Sequence, residues 1–191
     1  MKVIAFNGSP HKNGNNSIML RRVLAVLEAE GIETELIQLA EQEIHGCRAC
    51  GACLKMKNRQ CIQVDDNINS YIEKIAAADG ILLGSPTQIS MMSSKMKAFI
   101  ERTGTVAKAN DDLFKRKVGA AVVTMRHAGG ILTFDAINNY FLIGQMIVPG
   151  SSYWNIGIGF YPGEVEKDVE GLETMDTLGK NMAWLIKKLN A

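Results

Sequence analysis

The sequence predicts an α/β fold built on a doubly wound parallel sheet with helices on both faces. Three observations predict it: short apolar runs alternate with longer stretches of helical periodicity, several of those runs are continuously apolar, and most connections between them are short. Parallel strands buried on both faces read as unbroken apolar runs, and the crossovers that join them supply the covering helices. Short connections are what compact α/β units need.

In chain order, Lys2–Phe6 reads as a strand. Ser17–Glu30 follows as a helix, because Leu20, Val23, Leu24 and Leu27 recur at helical spacing on one face. Glu35–Leu39 is the next strand. A helix is expected from about Asp66 to Ala78, a fully apolar strand around Ile81–Leu83, and a helix from about Ser94 to Thr103. Val118–Thr124 reads as a strand, Ile131–Ile143 as a helix, Gln145–Trp154 as a last broken strand, and Thr174–Leu189 as the closing helix. The stretch Ile156–Gly171, with Gly157, Gly159, Pro162 and Gly163, has the composition of an irregular surface loop. About five strands separated by helices give a single domain over residues 1–191.

At 191 residues and 47% hydrophobic content, the chain can bury one good core. Its formal net charge of +1 gives no sign of a nucleic-acid partner. The N-terminal MKVIAFNGSP lacks the apolar region and cleavage site of a secretory signal, and no apolar run reaches membrane-span length. A cytoplasmic location with reduced thiols is therefore expected.

All four cysteines, Cys47, Cys50, Cys53 and Cys61, lie in one stretch, CRACGACLKMKNRQC, inside a segment at about 41–64 that is too long for an ordinary strand-to-helix loop. Four soft ligands gathered in one insertion suit an iron-sulfur cluster or a zinc ion. Unligated thiols or a labile disulfide are the alternative. Structural zinc sites usually split their cysteines into two separated pairs, and the compact triple here fits a cubane better.

Ligands of a doubly wound sheet bind beyond the carboxyl ends of its strands. The loop after the first strand, Asn7 to Ser17, combines small polar side chains, glycines and a helix start, which can hold a phosphate through backbone donors. It lacks the Gly-Lys-Ser/Thr ending of a Walker A loop and is not G-x-G-x-x-G. A capped turn is the simpler alternative. The loop after the third strand, GSPTQISMMSS, offers Pro86, Thr87, Gln88 and Ile89 to a flat ring, and the loop TMRHAGG after the fourth can close over the same place.

GSPHKNGNNS, GSPTQISMMSSKMKAFIER and TMRHAGG resemble the three flavin-binding loops of the flavodoxin-like NAD(P)H-dependent FMN reductase superfamily. With the C-x2-C-x2-C-x7-C insertion, the chain resembles the iron-sulfur flavoprotein branch of that superfamily. The resemblance implies a flavodoxin-like strand order 2-1-3-4-5. It implies FMN with its phosphate held by Ser9, His11, Asn13, Gly14, Asn15, Asn16 and Ser17, and its ring bordered by Pro86, Thr87, Gln88 and Ile89, with Arg126, His127, Gly129 and Gly130 nearby. It also implies a [4Fe-4S] cluster on Cys47, Cys50, Cys53 and Cys61, and a homodimer or homotetramer with flavin sites at subunit interfaces. At His11, Asn16 and Gln88 the family more often has arginine, threonine and an aromatic residue.

The reaction implied is a flavin-dependent oxidoreduction in which the cofactors carry the electrons and no catalytic acid, base or nucleophile is required. The donor is a ferredoxin-type protein or NAD(P)H, and the acceptor a small molecule such as oxygen, peroxide, a quinone or a metal ion. Three other readings are a plain NAD(P)H-dependent FMN or quinone reductase without a cluster, a flavoprotein stapled by zinc, and a non-catalytic flavin electron carrier. Met91, Met92 and Met96 are expected as packing or subunit contact, Lys95, Lys97, Glu101 and Arg102 as the wet face of their helix, and Trp154 and Trp184 as core or interface anchors.

Overall fold

Successive residues of a strand point to opposite sides of a sheet, so a strand covered on both faces must be apolar at every position. The first strand shows this directly. In the computed structural model, which describes residues 1–191, strand β1 is Lys2–Asn7; Val3 and Ala5 enter one core while Ile4 and Phe6 enter the other. Helix α1 (Asn15–Ala29) and the C-terminal α6 (Val169–Leu189) cover the first face, with Met19, Leu20, Val23, Leu178 and Met182 fully buried. Helices α3 (Ile68–Ala77), α4 (Ser94–Ala109) and α5 (Gly130–Ile143) cover the second through Ile72, Phe99 and Phe141. A short helix, α2 (Ala52–Met56), lies inside the cysteine-bearing insertion.

The remaining strands are β2 (Glu33–Gln38), β3 (Gly80–Gln88), β4 (Met91–Met92), β5 (Val118–Met125) and β6 (Ile156–Ile158). The sheet runs β2-β1-β3-β5-β6 and is parallel, with β4 folded back antiparallel on the end of β3. Setting that two-residue hairpin strand aside, this is the expected order 2-1-3-4-5. No helix is long and apolar enough to cross a membrane.

Four details differ from the sequence expectation. The last parallel strand is not within Gln145–Trp154, where Ile147 makes only an isolated bridge to Val118; it is Ile156–Ile158, paired with Val123–Met125. Its central Gly157 and the Pro/Gly-rich residues beyond it disguise a short edge strand as a loop. Strand β3 continues through Ser85 and Pro86 to Gln88, although these read as loop residues. Proline is tolerated there because β1 ends opposite Gly84, leaving β3 a single parallel neighbour at Pro86. Trp154 and Trp184 are half-exposed or more and belong to neither core, which removes the core alternative and leaves the interface one. Arg102, expected in solvent, is completely buried.

Candidate functional site

The carboxyl ends of the strands bring the predicted loops to one edge of the sheet, where they enclose a cavity of about 340 Å³. Of the residues expected there, Ser9, His11, Gly14, Asn15 and Asn16 line one side. Pro86, Thr87, Gln88 and Arg126 line the other. Asn13, Ser17, Ile89, His127, Gly129 and Gly130 do not reach the wall. Pro10, Thr124 and Met125, from the same predicted loops, line it as well, and Gly159, Phe160 and Pro162 come from the segment after β6, which sequence reading missed. No acidic side chain lines this cavity, so it suits an anion or a neutral ring.

The start of α1 forms the polar end. Its N-cap, Gly14, makes no side-chain cap, the first turn holds no acidic residue, and the N–H groups of Asn15, Asn16 and Ser17 have no acceptor. Open donors at the positive end of a helix favour negative charge. Asn7, at the end of β1, organises the turn: its Oδ1 accepts from Ser9 N at 3.0 Å and from Asn16 Nδ2 at 2.7 Å. Ser9 Oγ in turn accepts from His11 N at 3.1 Å. Buried polar groups are normally paired, yet Asn16 Oδ1, Ser17 Oγ and Thr87 Oγ1 are buried without partners. Two of these three side chains, Asn16 and Thr87, line the cavity from opposite sides. The Thr87 hydroxyl can donate to or accept from a bound ring, while the open Asn16 oxygen can only accept, from an N–H or O–H of a bound group.

The opposite wall is a tight hairpin between β3 and β4. Ile89 and Ser90 at its tip both have positive φ, 48° and 60°, and Ile89 is almost wholly exposed. A β-branched residue in this conformation is strained. The loop from β5 to α5 packs on the tip through Gly129, whose φ is 84° and where a Cβ would lie 2.7 Å from Ser90 Cα. Behind the wall, Arg126 stacks on Phe160 with its guanidinium carbon 3.9 Å from the ring centre. Phe160 is positioned by Glu164, whose Oε2 accepts from the N–H groups of Phe160 and Tyr161, both at 2.9 Å. Those two N–H bonds, from Tyr161 and Phe160, hold the Glu164 carboxyl below the usual range. A larger cavity of about 680 Å³ between α4 and α5 is lined mainly by apolar groups such as Ile100, Tyr140 and Ile143, and contains none of the orphaned polar atoms.

The cysteine insertion forms a separate cavity of about 280 Å³ against α4, and Cys47, Cys50, Cys53 and Cys61 all line it. The loop turns with left-handed residues at Ala49 and Gly51, between successive cysteines. All four cysteines are unpaired; Cys50 is exposed and Cys53 buried. Burial pushes the Cys53 thiol up, with Cys47 and Cys50 adding to the rise. Glu101 accepts from Cys47 N at 3.3 Å, and Asn69 clamps Cys61 by accepting from its N–H at 2.7 Å and donating to its carbonyl at 2.9 Å. No three His, Cys, Asp or Glu side chains converge on a point that a single metal ion could occupy. A cubane presents a separate iron to each thiolate, so its ligands need only surround a common space.

Residues 1–160 match the family model described as NADPH-dependent FMN reductase. An iron-sulfur flavoprotein of Methanocaldococcus jannaschii is 37% identical over 194 residues, covering 98% of each chain. An iron-sulfur flavoprotein of Methanosarcina thermophila is 31% identical over 184 residues, covering 95% of this chain and 93% of the relative. Among solved structures, RosB with a bound 8-demethyl-8-formylriboflavin-5'-phosphate intermediate superposes with a TM-score of 0.76 at 18% identity, covering all of this chain and 80% of that one. An archaeal flavodoxin superposes with a TM-score of 0.64 at 18% identity, covering 98% and 99%. At these identities the structural likeness defines the fold.

Proposed function

The chain belongs to the NADPH-dependent FMN reductase family and to its iron-sulfur flavoprotein branch, a flavin-dependent oxidoreductase, and from that premise we propose that it carries both FMN and a [4Fe-4S] cluster. The observation that carries the two-cofactor reading is that all four cysteines open on one cavity while a separate cavity at the sheet edge holds unsatisfied polar groups. The compact C-x2-C-x2-C-x7-C spacing and the iron-sulfur flavoprotein relatives favour a cluster over a zinc staple.

In this reading the open N–H groups of Asn15, Asn16 and Ser17 take the FMN phosphate, helped by the loop of Ser9, His11, Asn13 and Gly14. Pro86, Thr87, Gln88 and Ile89 border the ring, with Thr87 Oγ1 free to bond its polar edge. Arg126, braced by Phe160, places a fixed positive charge on the cavity wall, and His127, Gly129 and Gly130 shape the adjoining loop. FMN exchanges one or two electrons and the cluster one, so the pair links one-electron and two-electron partners. The protein's contribution is to bind, orient and exclude water.

The donor is proposed to be a ferredoxin-type protein or NAD(P)H, and the acceptor oxygen, peroxide, a quinone or a metal ion. The working unit is proposed to be a homodimer or homotetramer. Anaerobic stopped-flow reduction tests the division of labour. Reduced ferredoxin should reduce the flavin of the parent protein faster than that of Cys50→Ser; equal rates would show that electrons bypass the cysteine site.

A further inference from the structure

Arg102 is the largest fully buried side chain in the protein, and its guanidinium forms part of the wall of the cysteine cavity. It donates through Nη1 to Asp66 Oδ2, and through Nη2 to the Gln63 carbonyl at 2.8 Å, while buried Nε has no partner. Asp66 is also buried, but it does not line the cavity. The positive member of this ion pair is therefore the one that borders the cavity on which the four cysteines open. Gln63 lies two residues beyond Cys61, so the same guanidinium that meets the cavity also anchors the chain leaving the last cysteine.

A guanidinium cannot shed its proton in a protein, so this charge is permanent. Buried charges are normally fully paired, and hydrogen bonds to Asp66 and to the Gln63 carbonyl with Nε left open are an incomplete set. Cluster potentials depend on net charge, hydrogen bonds to the sulfurs and exposure. Resting on the cluster reading above, we propose that Arg102 is a positioning residue that sets the cluster's reduction potential. One electron entering from a reductant makes the cysteine site more negative by one unit, and Arg102 stabilises that form more than the oxidised one. The buried pair with Asp66 moderates the effect, since attraction to the cation is offset by the more distant carboxylate.

The test is a redox titration of the anaerobically reconstituted full chain, followed by electron paramagnetic resonance, with iron and sulfide counted on each sample. Arg102→Gln should shift the cluster midpoint to more negative potential, Arg102→Lys should remain near the parent, and Asp66→Asn should shift it to more positive potential. The flavin midpoint should not move in any of them. An unchanged cluster midpoint in Arg102→Gln that still holds its iron would overturn the inference. If that variant fails to fold or to hold iron, an Asp66→Asn midpoint equal to or below the parent's would overturn it instead. A parent protein that takes up no cluster would refute the two-cofactor reading itself, and this inference with it.

Discussion

The side-chain oxygen of Asn15 lies 2.9 Å from the backbone nitrogen of Gly163, and accepts its hydrogen bond across 148 positions of sequence. The same oxygen is 3.4 Å from Val165 N. One residue in the first turn of α1 thereby fastens the segment that presents Phe160 to the cavity. The start of the helix and the wall behind Arg126 are built as a unit.

Asn15→Ala removes that acceptor and should loosen the 159–165 segment. Losing a hydrogen bond of this kind costs about 1 kcal/mol, so FMN affinity should fall by roughly fivefold to tenfold. Asn15→Asp keeps the acceptor but adds a negative charge beside the open N–H groups, and should weaken FMN at least as much while preserving thermal stability. Fluorescence titration of the flavin-free protein with FMN measures both. Unchanged affinity in both variants would move the phosphate site elsewhere.

Cys50 is the exposed member of the four cysteines, so Cys50→Ser should not disturb the core. Its expected effect is loss of the broad visible absorbance of the cluster with FMN retained. A variant with full cluster absorbance would show that Cys50 is not a ligand.

The hairpin tip holds Ile89 and Ser90 in left-handed conformations that asparagine and glycine adopt more readily. Ile89→Asn should raise stability by about 1 kcal/mol, read as a higher denaturant midpoint at constant slope. If the strained tip also borders the flavin ring, the same substitution should change the flavin's visible spectrum. A fall in stability would show that the exposed side chain has a packing role in the assembled protein.

Glu35 on β2 accepts from Lys74 of α3 at 2.6 Å, with Lys2 of β1 a further 3.4 Å ion-pair partner. The Lys74 hydrogen bond holds the Glu35 carboxyl below its usual range, against the opposing effect of burial. A depressed folded-state value means that this contribution is present above the ordinary glutamate range and is lost as pH falls through the folded value. Denaturant midpoints of the parent should therefore drop more steeply between about pH 5 and pH 3 than those of Glu35→Gln. Parallel pH profiles would contradict the coupling.

The sheet was legible because burial on both faces writes itself as runs such as VIAF and AAVV, whose alternate members fill the two cores. The cysteine insertion was legible from spacing alone. Strand β6 was not, since three residues centred on Gly157 carry no periodicity and the pairing with Val123–Met125 exists only in the folded sheet. Arg102 was missed for a related reason. Its neighbours Lys97 and Glu101 do form a surface pair at helical spacing, and nothing local shows that Asp66 and Gln63 will fold over the next position. Phe160 joined the site from the segment after β6, which none of the three loop motifs contains.

The most direct test is to purify the protein anaerobically and quantify flavin, iron, acid-labile sulfide and zinc on one sample. The expected result is about one FMN with four iron and four sulfide per chain. FMN without iron or sulfide after anaerobic reconstitution would contradict it and leave a plain flavin reductase, or a zinc-stapled one if zinc were found in their place.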